Sequence, residues 1–208
     1  MSNPIRWGLL LAGLSLVFSY QSGYAAVDGD PVSGKTKFYT CEGCHSITGQ
    51  TNAFPTYHVP KIGGQNPEYV IAALKAYANG SRTHGSMLGN AVSMSDRDMA
   101  DVGAYVGRFR SVNESVATSG NVAAGKQKAA ACTSCHGDEE KPAEGAFPRL
   151  ASQYESYLVK ALQDYKSGSR KHAMMGAIAS SLSEEDMLDI AAYYASQHRG
   201  LLVVKDVR

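Results

Sequence analysis

Apolar positions recur at helical spacing in two separated parts of the chain. Val70, Leu74 and Tyr77 fall on one face of a helix that starts near Pro67 and stops at Asn79-Gly80. Leu158, Leu162 and Tyr165 repeat the pattern in a helix from about Tyr154 to Ser167-Gly168. Glycine closes both, because it takes the left-handed conformation without a Cβ clash. A later helix begins at Ser95, with Met99, Val102 and Val106 on one face, and again at Ser183, with Met187, Ile190 and Tyr194. Each serine has an aspartate three residues on, Asp98 or Asp186, a variant of the capping box. An earlier helix in each half spans roughly Ser33 to His45 and Val122 to His136. Strand patterning is weak throughout. The chain reads as all-α, in two units of three helices that each bury only a modest core unaided.

The repetition extends beyond the helices. Gly34-Lys35 matches Gly125-Lys126, the run from Val59-Pro60 to Gln65 matches Phe147-Pro148 to Gln153, and Ala76–His84 matches Asp164–His172. The first copy carries three extra residues between His45 and Pro60. This divides the chain into domains at 26–112 and 113–208, with the polar stretch 111–120 as linker. Residues 1–25 stand apart: Arg6, an apolar run from Trp7 to Phe18, and Gly23-Tyr24-Ala25 make a secretory signal cut after Ala25. An uncleaved membrane anchor competes with this reading, but the run is short for a span.

Charge removes some function classes. The 208 residues hold 20 Lys and Arg against 19 Asp and Glu, spread over both halves. Neither half is a basic nucleic-acid binder or an acidic tail, and no large net charge steers partner encounter.

Both units carry the same chemistry. Cys41-Glu42-Gly43-Cys44-His45 and Cys132-Thr133-Ser134-Cys135-His136 are attachment motifs for c-type haem. Each thiol adds across one porphyrin vinyl group, and the adjacent imidazole then lies under the ring, within reach of iron. Zinc sites bring a second ligand pair at characteristic spacing, which neither motif has. A thioredoxin-like pair needs a strand-rich setting, and a plain disulfide does not require the histidine. The motifs use all four cysteines.

A haem that only carries electrons needs a second axial ligand. The repeat register sets Met87 against Met175, each in a glycine-containing loop, and a thioether there raises the reduction potential. Core packing is the competing role for both. Met174 pairs with Ser86, so it cannot serve both halves alike; Met94, Met99 and Met187 fall on helix faces as core. His84 and His172 match each other and offer bis-histidine ligation, against solvated loop positions or haem-propionate neighbours. His58 and His198 have no counterparts and read as surface residues. An axial histidine usually donates its free N–H to a carbonyl, and Pro60 and Pro148 lie at a loop-forming distance. Arg82, Arg170 and Lys171 are candidates for pairing with propionates, or solvated loop residues.

Taken together, these motifs, with Tyr165–Arg170, Met174-Met175, Leu182–Met187 and Ala191–Tyr194, resemble the dihaem cytochrome c4 family over residues 26 to about 198. The resemblance implies two tandem class I cytochrome c domains, each wrapped around one covalently bound haem. It implies His45/Met87 and His136/Met175 as axial pairs, with the imidazoles hydrogen-bonded to the carbonyls of Pro60 and Pro148. The first half departs through its longer Ile47–Val59 loop and Met94 in place of leucine.

The expected function is periplasmic electron carriage, without catalysis or a small-molecule substrate. A soluble donor (a cytochrome or blue copper protein) would supply electrons, and a membrane-bound cytochrome c oxidase would take them. A dihaem peroxidase needs one haem with an open sixth position and an acid–base group above it. The haem subunit of a dehydrogenase is the other alternative, with Leu201-Leu202-Val203-Val204 either docking on a partner or packing on the body.

Overall fold

The computed structural model describes residues 28–110 and 116–205; the expected signal segment and the first half of the expected linker lie outside them. In the first lobe α1 (Pro31–Lys37) and α2 (Tyr39–His45) lead into a hairpin of β1 (Thr51–Ala53) and β2 (Thr56–His58). Then come α3 (Pro67–Ala78), α4 (Gly85–Ala91) and α5 (Asp96–Gly107). The second lobe repeats this with α6 (Val122–Lys128), a 3-10 turn, α7 (Thr133–His136), α8 (Glu155–Ser167), α9 (Ala173–Ser180) and α10 (Glu184–Ala195), and has no hairpin among the described residues. No helix there is long and apolar enough to cross a membrane.

Three expectations change. The continuous helix into each haem motif is broken, at Phe38 in the first lobe and by the 3-10 turn Ala129–Ala131 in the second. The loops holding Met87 and Met175 are the short helices α4 and α9. The three additional residues form part of the antiparallel hairpin, in which Thr51 pairs with His58.

The first and last helices of each lobe cross at glycine. A Cβ on Gly34 would lie 1.9 Å from the Asp101 carbonyl oxygen, and one on Gly125 would lie 1.9 Å from that of Asp189. Only a residue without a side chain lets the backbones come so close. The crossing is locked by Lys37, which reaches Asp98 and Asp101 at 2.6 Å each, and by Lys128, which reaches Asp186 and Asp189 at 2.8 and 2.7 Å. Ser95 and Ser183 complete their capping boxes. Phe38, Met99, Tyr105 and Val106 centre one core; Leu158, Ile190 and Tyr194 centre the other.

The lobes are clasped together. Gln153 pairs with both backbone groups of Lys61, and Gln65 does the same for Arg149. The Leu201–Val204 segment packs on the body: Leu201, Val203 and Val204 are buried. Leu202 pairs with Gly63, and Val204 joins the first-lobe core. Ser119 and Gly120, at the end of the expected linker, are held by the Glu155 carboxylate.

Candidate functional site

Each motif ends on the last turn of a short helix, so its histidine projects beside its cysteines. His45 Nδ1 lies 2.9 Å from the Pro60 carbonyl oxygen, and His136 Nδ1 lies 3.0 Å from that of Pro148. A carbonyl can only accept, so the proton sits on Nδ1 and Nε2 keeps its lone pair. Burial pushes both imidazoles below their ordinary pKa, against the carbonyl bonds that favour the charged form. Each is therefore neutral, with one nitrogen free to bind a metal.

The methionines are positioned by the neighbouring histidines. His84 caps α4, its Nδ1 accepting the Met87 amide N–H at 3.3 Å; His172 caps α9 through the Met175 N–H at 3.3 Å. Each capping ring meets the edge of a tyrosine, Tyr77 at 6.4 Å and Tyr165 at 6.3 Å. His84 Nε2 donates to Asn52 Oδ1 in the hairpin at 3.2 Å, so this ring has no lone pair left for a metal. His58, expected at the surface, is half-buried and engaged: its ring stacks on Tyr154 and its Nδ1 sits 2.8 Å from Ser156 Oγ, joining the hairpin to α8.

Two cavities collect these groups. The second, about 510 Å³, is lined by Cys132, Cys135, His136 and Met175 among apolar side chains including Leu158 and Ile190. Such a volume suits a cofactor. Tyr194 also lines it, and its buried hydroxyl has no protein partner among the described residues. The first, about 170 Å³, is lined by Cys41, Cys44, His45 and Met87, and is narrowed by Asn52 and Tyr57 of the hairpin. Burial raises the Cys41 and Cys132 thiols above their ordinary pKa. Two thiols, an open imidazole nitrogen and a thioether in one apolar wall fit a covalently held haem.

The cavities share a wall. Tyr69, Ala73, Arg82, Tyr157, Ala161 and Arg170 line both. Arg82 donates to the Tyr157 phenol at 2.7 Å, and Arg170 donates to Tyr69 at 2.9 Å. Each guanidinium also stacks on its own lobe's tyrosine, Tyr77 or Tyr165, at 4.4 Å. These arginines are thus not solvated loop residues. Burial would raise the Tyr69 phenol, but the Arg170 and Arg82 charges outweigh it and bring its pKa down to about 8. Sequence reasoning missed both Tyr69 and Tyr157; their match at one repeat position was the available signal.

Known proteins resemble this chain over most of its length. The family model described as cytochrome c matches residues 122–197. Cytochrome c4 of Pseudomonas aeruginosa is 30% identical over 205 residues, covering 91% of this chain and 98% of its own. The crystal structure of reduced cytochrome c4 from Pseudomonas stutzeri matches with a TM-score of 0.65 and 27% identity, over 82% of this chain and 100% of that one. Thiosulfate dehydrogenase from Marichromatium purpuratum matches with a TM-score of 0.69 and 29% identity over 80% of this chain, which spans 40% of that longer one. Two covalent c-type haems follow from the paired motifs and this kinship. Two haem-attachment motifs in two like helical lobes, matched over nearly the whole length, establish that the chain belongs to the cytochrome c4 family of electron-transfer cytochromes.

Proposed function

We propose that the chain is a periplasmic electron carrier in which His45 and Met87 hold one haem iron and His136 and Met175 the other. Its donor is a soluble cytochrome or blue copper protein, and its acceptor is a membrane-bound cytochrome c oxidase. The observation supporting this is that each lobe brings an imidazole with one nitrogen already engaged and a thioether to the wall of a single cavity. Residues 1–25 serve as the export signal, and the haem domains are 26–112 and 113–208, with Leu202 and Val204 returning to the first lobe.

Haem supplies a one-electron couple that changes state with little rearrangement. The chain's residues do the rest. Cys41, Cys44, Cys132 and Cys135 anchor the group, and the Pro60 and Pro148 carbonyls fix the ring planes of the histidines. The helix caps at His84 and His172 fix the methionine backbones. Apolar lining excludes water, and Arg82 and Arg170 offer cations to the propionates.

The oxidised protein is expected to show the weak near-infrared band of iron–methionine ligation, and Met87→Ala and Met175→Ala each to open one haem to carbon monoxide. A wild type lacking the band overturns the methionine assignment, and one that already binds carbon monoxide at one site favours a peroxidase. A second reading, haem subunit of or electron acceptor for a dehydrogenase, is favoured by the match to thiosulfate dehydrogenase and by a relative named as that enzyme's electron acceptor. Faster reduction by such an enzyme than by soluble cytochromes or blue copper proteins selects it.

A further inference from the structure

The two cavities open differently. At matched repeat positions the second is lined by Phe147, Met174 and Ile178, and the first by Val59, Ser86 and Asn90. Phe147, Met174 and Ile178 are 45%, 54% and 43% exposed, so they form the lip of the cavity rather than its floor. Met174 and Ile178 stand one turn apart on α9 and share a face. Phe147 adjoins Pro148, whose carbonyl orients His136. The first opening is polar and partly shut by the hairpin, which is fastened to α4 by Asn52–His84 and to α8 by His58–Ser156. Leu88 of α4 and Val92, its C-cap, are also exposed, yet they line neither cavity. Among the described residues the second cavity is lined by no Asp or Glu, and it carries the exposed ammonium of Lys171.

We infer that the Phe147–Met174–Ile178 lip is the face on which a redox partner docks. The partner is a protein whose own metal edge lies in an uncharged apolar patch with a carboxylate at its margin. Exposed apolar side chains around a cofactor opening gain only when another apolar surface displaces their water. Lys171 attracts the marginal carboxylate, and no acidic lining residue repels it. A lip of three side chains makes a small contact, which suits rapid separation of the partners. This inference rests on the electron-carrier reading.

The test uses the full dihaem protein with a small blue copper protein of that surface chemistry as probe, followed by stopped-flow absorbance. Met174→Lys with Ile178→Lys is expected to slow exchange about tenfold or more, as for loss of central interface contacts. Ile178→Lys alone is expected to give part of that loss with the Met175 near-infrared band intact. Leu88→Lys with Val92→Lys should leave the rate within about twofold. Nuclear magnetic resonance with a redox-silent zinc form of the probe should shift amides at 146–148 and 173–180, independently of any electron transfer. An unchanged rate in the α9 variants, or equal slowing by the α4 pair, overturns the inference. A wild type that exchanges electrons with neither this probe nor a small cytochrome c overturns the carrier reading and this inference with it, whereas exchange with the cytochrome alone overturns only this inference.

Discussion

Gln153 accepts the Lys61 amide proton and returns its own N–H to the Lys61 carbonyl, both at 2.9 Å, across the boundary between the lobes. Gln65 treats Arg149 in the same way, at 2.9 and 3.1 Å. Each side-chain amide pairs with the facing backbone as a neighbouring strand would. Gln153→Ala removes both bonds to the Lys61 backbone and the one its Oε1 accepts from the Tyr154 amide, with an expected loss of about 2–4 kcal/mol in urea unfolding of the haem-loaded protein. A loss below about 0.5 kcal/mol would show that the clasp contributes little.

Acid sensitivity should reside at the helix crossings. The Lys128 ammonium, followed by Ser183, holds Asp186 well below its ordinary value of 3.8; Lys128 and the Asn121 amide also lower Asp189. A depressed native pKa gives a contribution that is whole above the unfolded value and fades as pH drops below it. The thermal midpoint of the wild type should therefore fall below about pH 4. Lys128→Met should start lower at neutral pH and lose less on acidification. Parallel curves would refute the pairing.

Tyr69 gives a second pH dependence, on the alkaline side. With its phenol near 8, a rise in pH through that value places a negative charge on the wall shared by both cavities. Negative charge favours the oxidised state, so at least one midpoint potential should fall between about pH 7 and 9. Redox titrations of Tyr69→Phe should be flat over that interval. An unchanged slope would place the titrating group elsewhere.

The cap on α9 is separable from the ligand it positions. His172→Ala should cost about 1 kcal/mol and weaken the near-infrared band, whereas His172→Asn, a good capping residue, should restore both. Failure of asparagine to restore them would mean that the ring matters through Tyr165 packing instead.

How much of this was legible in the sequence depended on range. The capping boxes at Ser95 and Ser183 were readable because both partners lie within one turn, and the Val70–Tyr77 stripe because its period is local. The methionine helices were hidden, since Gly85–Ala91 and Ala173–Ser180 are short, carry glycine and lack a clear stripe. Three-residue strands are too brief for alternation to register, so the hairpin read as loop. The Arg82–Tyr157 bond joins residues 75 apart and exists only once two lobes meet. Asp101 and Asp189 are buried yet look like surface residues in sequence, because their cation comes from another helix.

Because the same six side chains bound both cavities, neither redox centre can drift relative to the other without tearing that partition. An arriving electron therefore waits for no hinge. Thickening the solvent should delay the encounter with a partner and leave the internal hop at its original speed.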